Sequence, residues 1–108
     1  MTNNPPPIKV LLLEGVNSSG INILKNAGFQ VNRIGIISQV EAHTKALPEA
    51  VLKEKIRDVH VIGIRSKTQL TAEVLQEAKE LLCIGCFCIG TNQVDLEYAS
   101  RRGVFFLF

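Results

Sequence analysis

Residues 59–86, VHVIGIRSKTQLTAEVLQEAKELLCIGC, hold a complete strand–helix–strand unit, and their reading decides the fold. Val59-His60-Val61-Ile62-Gly63-Ile64 is a short apolar run of the kind buried on both faces of a parallel sheet. Thr71 is placed to cap a helix whose Val74, Leu75, Ala78 and Leu82 form one apolar stripe. A fourth strand is expected over residues 82–86, so the unit closes with a second strand parallel to the first.

The same alternation extends outward in both directions. Residues 8–13, IKVLLL, read as a first strand, and Asn17-Ser18-Ser19 supply capping side chains for a helix carrying Ile21, Leu24 and Ala27, ended by Gly28. A second strand is expected over residues 29–37. A helix opened by Leu47-Pro48 follows, with Pro48 in its first turn, Val51, Leu52 and Ile56 along one face, and Asp58 at its close. Beyond residue 86, Asn92 is read as the cap of a helix with Val94, Tyr98 and Ala99, Gly103 as its stop, and residues 104–108 as the start of a fifth strand. Residues 1–7, with three consecutive prolines, are expected to form a disordered head. The predicted fold class is α/β, a flavodoxin-like doubly wound parallel sheet that is incomplete, over residues 8–108.

Composition narrows the functions this domain could serve. The chain is 46% hydrophobic over 108 residues, ample for one core, and its net charge of +2 arises from scattered acidic and basic residues. Without a clustered basic stripe, nucleic acid is not an expected partner. No apolar stretch reaches the roughly 18 residues a bilayer requires, so no membrane association is expected and the cytoplasm is the expected compartment. Cys83, Cys86 and Cys88 are too close together to staple distant parts of a fold and are expected as free, buried thiols. Strand alternation should scatter them, and with no fourth ligand nearby no metal is expected. His43 and His60 have no evident carboxylate partner in sequence and read as structural or solvated.

Ligands of open α/β sheets bind at the carboxyl ends of the strands, here the loops beginning at Glu14, Arg65 and Phe87. Arg65-Ser66-Lys67-Thr68 combines a guanidinium, a hydroxyl and an ammonium, a set suited to a carboxylate or phosphate, although a solvated loop has the same composition. The junction Ile89-Gly90-Thr91-Asn92 is expected to aim unpaired backbone N–H groups at an anion; the plainer alternative is a tight turn that needs glycine. Gly85 and Gly90 have the spacing of a phosphate-binding loop, but Thr91-Asn92 replace its lysine and hydroxyl residue, which excludes a nucleotide triphosphatase.

Two long motifs, Gly63-Ile64-Arg65-Ser66-Lys67-Thr68-Gln69-Leu70-Thr71 and residues 84–96, IGCFCIGTNQVDL, resemble the D-3-phosphoglycerate dehydrogenases, within the D-isomer-specific 2-hydroxyacid dehydrogenases. Residues 10–17, LLLEGVN after Val10, and residues 55–60, KIRDVH, resemble that family too. The resemblance implies the first part of a substrate-binding domain, with no nucleotide-binding domain in these 108 residues. It implies oxidation of 3-phosphoglycerate to 3-phosphohydroxypyruvate with NAD, in serine synthesis, by the full-length enzymes. By the same resemblance, Arg65 and Ser66 bind the substrate's anionic groups and the backbone N–H groups of Ile89 and Gly90 hold its carboxylate. The family's catalytic arginine, glutamate and histidine and its glycine-rich fingerprint have no counterpart here, so the chain is expected to be inactive alone and not to bind NAD stably. Residues 32–40 look inserted, since Phe29-Gln30-Val31 would join Glu41 directly and Gln-Val occurs on both sides; residues 105–108 also depart from the family. The alternatives are a free-standing flavodoxin-like binding or interaction domain without catalysis, and a folding-impaired interaction module that associates through the unprotected edge of its fifth strand. A phospho-receiver is disfavoured because Arg65 stands where it would need aspartate.

Overall fold

A computed structural model describes residues 7–16, 36–88, 90 and 92–107. Five parallel strands form one sheet: β1 (Pro7–Leu12), β2 (Ile36–Ala42), β3 (Val61–Ile64), β4 (Cys83–Cys86) and β5 (Phe105–Leu107), in the order β2-β1-β3-β4-β5. Among the described residues the helices are α1 (Glu49–Lys55), continued by a 3-10 turn (Ile56–Asp58), α2 (Ala72–Glu77) and α3 (Leu96–Arg101). This is the expected flavodoxin-like order, in which the chain reverses its direction of travel across the sheet between β1 and β3.

The apolar runs become strands because both of their faces are covered. Leu11, Ile62, Ile64, Ile84 and Cys86 pack on one side against Leu52, Ile56, Val74, Leu75 and Ala78 from the helical layer. Ile8, Val10, Leu12, Val61 and Cys83 face the other side, in a second cluster with Val16, Leu82 and Phe87. Burying each such large aliphatic side chain contributes about 1.5–3 kcal/mol relative to exposure, so a run apolar at every position is stable only in this setting.

Several boundaries differ from the sequence reading. The first strand starts at Pro7, where an initial strand residue can lack a donor without breaking the ladder. The second strand, expected over residues 29–37, is described over Ile36–Ala42, so it runs five residues further than expected; residues 17–35, which include the helix expected after Asn17 and the start of that expected strand, lie outside the described residues. In β2, Ile37 pairs with Ile8 but Gln39 pairs with Lys9, so Ser38 is an extra residue, a bulge on this edge strand. Pro48 stands at the N-cap of α1, in extended conformation, instead of inside the first turn. Of the face expected on that helix, Leu52 and Ile56 are buried while Val51 is 37% exposed.

The largest difference follows β4. Asn92 does not cap a helix; Asp95 does, its Oδ1 accepting from Tyr98 N at 3.0 Å. Val94 is instead held in a parallel bridge with Leu70, with Leu70 N donating to Gln93 O and Asp95 N to Leu70 O. That pairing delays the helix until Leu96. Thr71, by contrast, caps α2 as expected, its hydroxyl accepting from Val74 N at 3.4 Å. His60 is structural, as expected: its Nδ1 accepts from Lys9 N at 3.0 Å and its N–H donates to Lys9 O at 2.9 Å.

Candidate anion-binding site

The reversal point between β1 and β3 opens a crevice at the carboxyl ends of those strands, and two loops meet there. Glu14 leaves β1 with a left-handed backbone, φ 58°, followed by Gly15 at φ 75°. This turn aims the Glu14 carboxylate across at the loop after β3. Its Oε2 accepts from Arg65 N at 2.9 Å and Thr68 N at 3.0 Å, and its Oε1 from Lys67 N at 2.8 Å. Burial alone would push the Glu14 carboxyl up, but the N–H donors of Thr68, Lys67 and Arg65 outweigh it and hold the carboxyl below its ordinary value. Glu14 is therefore ionised at neutral pH, with both oxygens engaged.

The loop after β2 is tied to the same place, since Gly15 N donates to His43 O and Glu14 N to Lys45 O. These ties carry Thr44, Lys45 and Ala46 to the crevice, where with Glu14, Arg65, Ser66 and Lys67 they line a cleft of about 280 Å³. Lys45, Arg65 and Lys67 bring three cations against the single carboxylate of Glu14, whose oxygens are already turned inward to backbone donors. Arg65, Ser66 and Lys67 are exposed to solvent and free of the desolvation that buried cations suffer. The result is an open, basic cleft suited to a small anion. A neighbouring cleft of about 340 Å³ shares Lys67 but is walled by Leu47, Leu52, Thr68 and Gln69, and does not gather cations.

Gly90 is exposed at φ 89°, a conformation that favours glycine, while Ile89 and Thr91 lie outside the described residues. Among the described residues the next helix, α3, starts only at Leu96, so its unpaired N-terminal N–H groups and its dipole lie six residues beyond Gly90. A different connection joins the turn to Arg65. Gln93, 7% exposed, donates from its amide nitrogen to Arg65 O at 2.8 Å and to the sulfurs of Cys86 and Cys88 at 3.0 and 3.1 Å. The same two thiols lie near the Gly90 carbonyl, at 3.7 and 3.5 Å. Of the residues singled out in the sequence, Arg65 and Ser66 thus share one cleft, and Gly90 is linked to them through Gln93.

The expectation that alternation scatters the cysteines fails for this pair: Cys86 and Cys88 are two apart on one edge, so they share a face, and their sulfurs lie 3.5 Å apart. Cys83, an odd number of residues away, packs in the opposite cluster. All three are free thiols. His43 does have a carboxylate partner, Glu41 at 2.6 Å, which strand periodicity of two also places alongside it. Among the described residues no group of three or more His, Cys, Asp or Glu side chains is placed to hold a metal ion, and no helix is long and apolar enough to cross a membrane.

Residues 10–107 match the catalytic domain of the D-isomer specific 2-hydroxyacid dehydrogenases. The chain belongs to that family. Among curated members, this dehydrogenase-family chain is 58% identical over 97 residues to D-3-phosphoglycerate dehydrogenase 1 of Saccharomyces cerevisiae, covering 90% of the chain and 19% of the yeast protein. It is 48% identical over 97 residues to D-3-phosphoglycerate dehydrogenase of Escherichia coli K12, covering 90% of the chain and 22% of that protein. The chain therefore spans about a fifth of the length of these relatives. The fold is also that of a solved dehydrogenase structure, the NAD+-bound 3-phosphoglycerate dehydrogenase of Entamoeba histolytica, with a TM-score of 0.65 over 94% of this chain and 32% of that one, at 13% identity. The resemblance carried by the two sequence motifs and the predicted fold class are both borne out.

The sequence contains no Gly-x-Gly-x-x-Gly turn of the kind that holds a dinucleotide pyrophosphate.

Proposed function

We propose that this chain supplies the anion-gripping part of the substrate site of an NAD-dependent D-3-phosphoglycerate dehydrogenase, which oxidises 3-phosphoglycerate to 3-phosphohydroxypyruvate. The observation that carries the reading is the convergence of Lys45, Arg65 and Lys67 with Ser66 on one cleft at the β1/β3 reversal, in a chain of this family. Arg65 offers a planar fork for a carboxylate or phosphate, Ser66 a hydroxyl, and the lysines point charges that raise the local concentration of a polyanion. Ile89 and Gly90 are proposed to add backbone donors to the substrate carboxylate. NAD would supply the hydride acceptor when held by a separate nucleotide-binding domain, and residues 8–108 form part of the substrate domain only. By this reading the 108-residue chain binds the acid without turning it over, in the cytoplasm.

Titration calorimetry of the chain with 3-phosphoglycerate, against glycerol as a neutral control, tests the reading. Heat with the acid alone, weakened at least about tenfold by Arg65→Ala, is expected, since one charge-assisted contact contributes roughly 1.5–3 kcal/mol. Equal heats for Arg65→Ala and the parent chain would refute it, as would turnover of 3-phosphoglycerate with NAD by the chain alone refute the absence of catalysis.

A further inference from the structure

We propose that Cys86 and Cys88 form an oxidation site that closes to an intramolecular disulfide, with a low-molecular-mass disulfide as oxidant. The sulfurs are 3.5 Å apart, and both are fixed at that point by shared partners, the Gln93 amide nitrogen and the Gly90 carbonyl. The side chain between them, Phe87, packs in the opposite cluster, so nothing stands between the thiols. Closure needs the sulfurs to approach further, to about 2.05 Å.

Exposure assigns the order of events. Cys88 is partly exposed, whereas Cys86 is 1% exposed and its thiol is pushed up to about 12 by burial and by the neighbouring Cys88. Cys88, as thiolate, attacks one sulfur of the external disulfide, forming a mixed disulfide and expelling the first small thiolate. Cys86 then loses its proton to water and attacks Cys88 Sγ, forming the internal S–S bond and expelling the second small thiolate. Two electrons pass from the cysteine pair to the oxidant, which leaves as two thiols. The second step is slow for a thiol so rarely ionised and depends on proximity to proceed.

Closure also changes the surroundings of the cleft. Both thiol hydrogens disappear, so the Gly90 carbonyl loses the donors it faces, and the two sulfurs that accept from the Gln93 amide, which also donates to Arg65 O, are drawn together beneath it. Oxidation is thus coupled to Arg65 through one buried side chain.

The test treats the whole chain with glutathione disulfide under native conditions, then alkylates, digests and weighs the peptides. The expected product has lost two hydrogens, with the new bond mapped between Cys86 and Cys88 and Cys83 fully alkylated. Cys86→Ser is expected to stop at a glutathione adduct on Cys88, while Cys83→Ala closes normally. Should either variant fail to fold, the mapping on the parent chain decides alone. A persistent adduct on Cys88 of the parent chain, a bond involving Cys83, or native thiols that stay reduced while the urea-unfolded chain oxidises would each overturn the proposal.

Discussion

Replacing Glu14 tests the claim that one carboxylate assembles the candidate cleft. Its two oxygens accept three backbone N–H groups, from Arg65, Lys67 and Thr68, at 2.8–3.0 Å. Charge-assisted bonds contribute roughly 1.5–3 kcal/mol when buried, and at this partly exposed position water can replace part of each, so about 1 kcal/mol apiece is the working figure. Glu14→Ala should therefore cost about 3 kcal/mol. Glu14 also holds φ 58°, a conformation that costs a non-glycine residue roughly 1 kcal/mol. Glu14→Gly removes that strain along with the bonds, and its net loss should be about 2 kcal/mol. Urea unfolding followed by circular dichroism reads both: with a slope of about 1.5 kcal/mol per molar, the midpoint should fall by about 2 M for alanine and about 1.3 M for glycine. Because the folded carboxyl is held below its ordinary 4.5, its contribution is complete above that pH and is lost as pH falls through the folded value. The gap between the parent and Glu14→Gln should accordingly close in acid. An alanine variant within about 0.5 kcal/mol of the parent at neutral pH, or a gap that widens in acid, would refute the reasoning.

Three further perturbations probe other parts of the molecule. In Gly63→Ala the new methyl would meet Leu12 Cδ2 at 2.9 Å and Phe87 Cε2 at 3.3 Å in a packed cluster; a loss of about 1–3 kcal/mol by thermal or urea unfolding is expected, and a neutral result would show that the cluster yields. Arg102 donates to the Leu75 and Ala78 carbonyls at the end of α2 and lies 5.9 Å over the Tyr98 ring, so Arg102→Ala should cost about 2 kcal/mol, with Arg102→Lys recovering only part. Glu41, hydrogen-bonded to Lys55 at 2.8 Å and to His43, has its carboxyl held at about 2. Its stabilising contribution is present above about 4.5 and lost as pH falls through about 2, and a carbon NMR titration midpoint near 4.5 would contradict this.

What the sequence disclosed depended on whether local pattern or distant partners set the outcome. The runs at Ile8–Leu13, Val59–Ile64 and Leu82–Cys86 announced central strands, because strands covered on both faces must be apolar at consecutive positions. The edge strand β2 carries no such mark: Gln39 is exposed, Val40 is 46% exposed, and Ser38 is a bulge, so its polar second half, beyond Ile37, has no pattern that announces a strand. Asn92 has the chemistry of a cap, but Leu70, more than twenty residues earlier, pairs with Val94 and holds it out of a helix. Arg65 and Ser66 were legible because the carboxyl end of a parallel strand is where such residues matter. The parts played by Glu14 and Gln93 leave little local mark, as each side chain acts on backbone groups of another loop, and Lys45 reaches the cleft only because its carbonyl accepts from Glu14 N. Only the glutamate–glycine pair directly after β1, announcing a left-handed turn at a strand exit, offered a signal.

The Glu14 carboxylate and its three donors lie 51–54 residues apart in the chain. Such a contact can close only after β1 and β3 have found one another, because ordering so long an intervening segment brings no reward until its ends meet. The cleft is therefore a late product of folding, and substitutions at Glu14 should mainly speed unfolding and leave the folding rate nearly unchanged. Any opening that parts β1 from β3 would dissolve the candidate cleft in the same event. Occupancy of that site by an acid would slow such openings, so hydrogen exchange at the Arg65, Lys67 and Thr68 amides would report ligand and sheet integrity together.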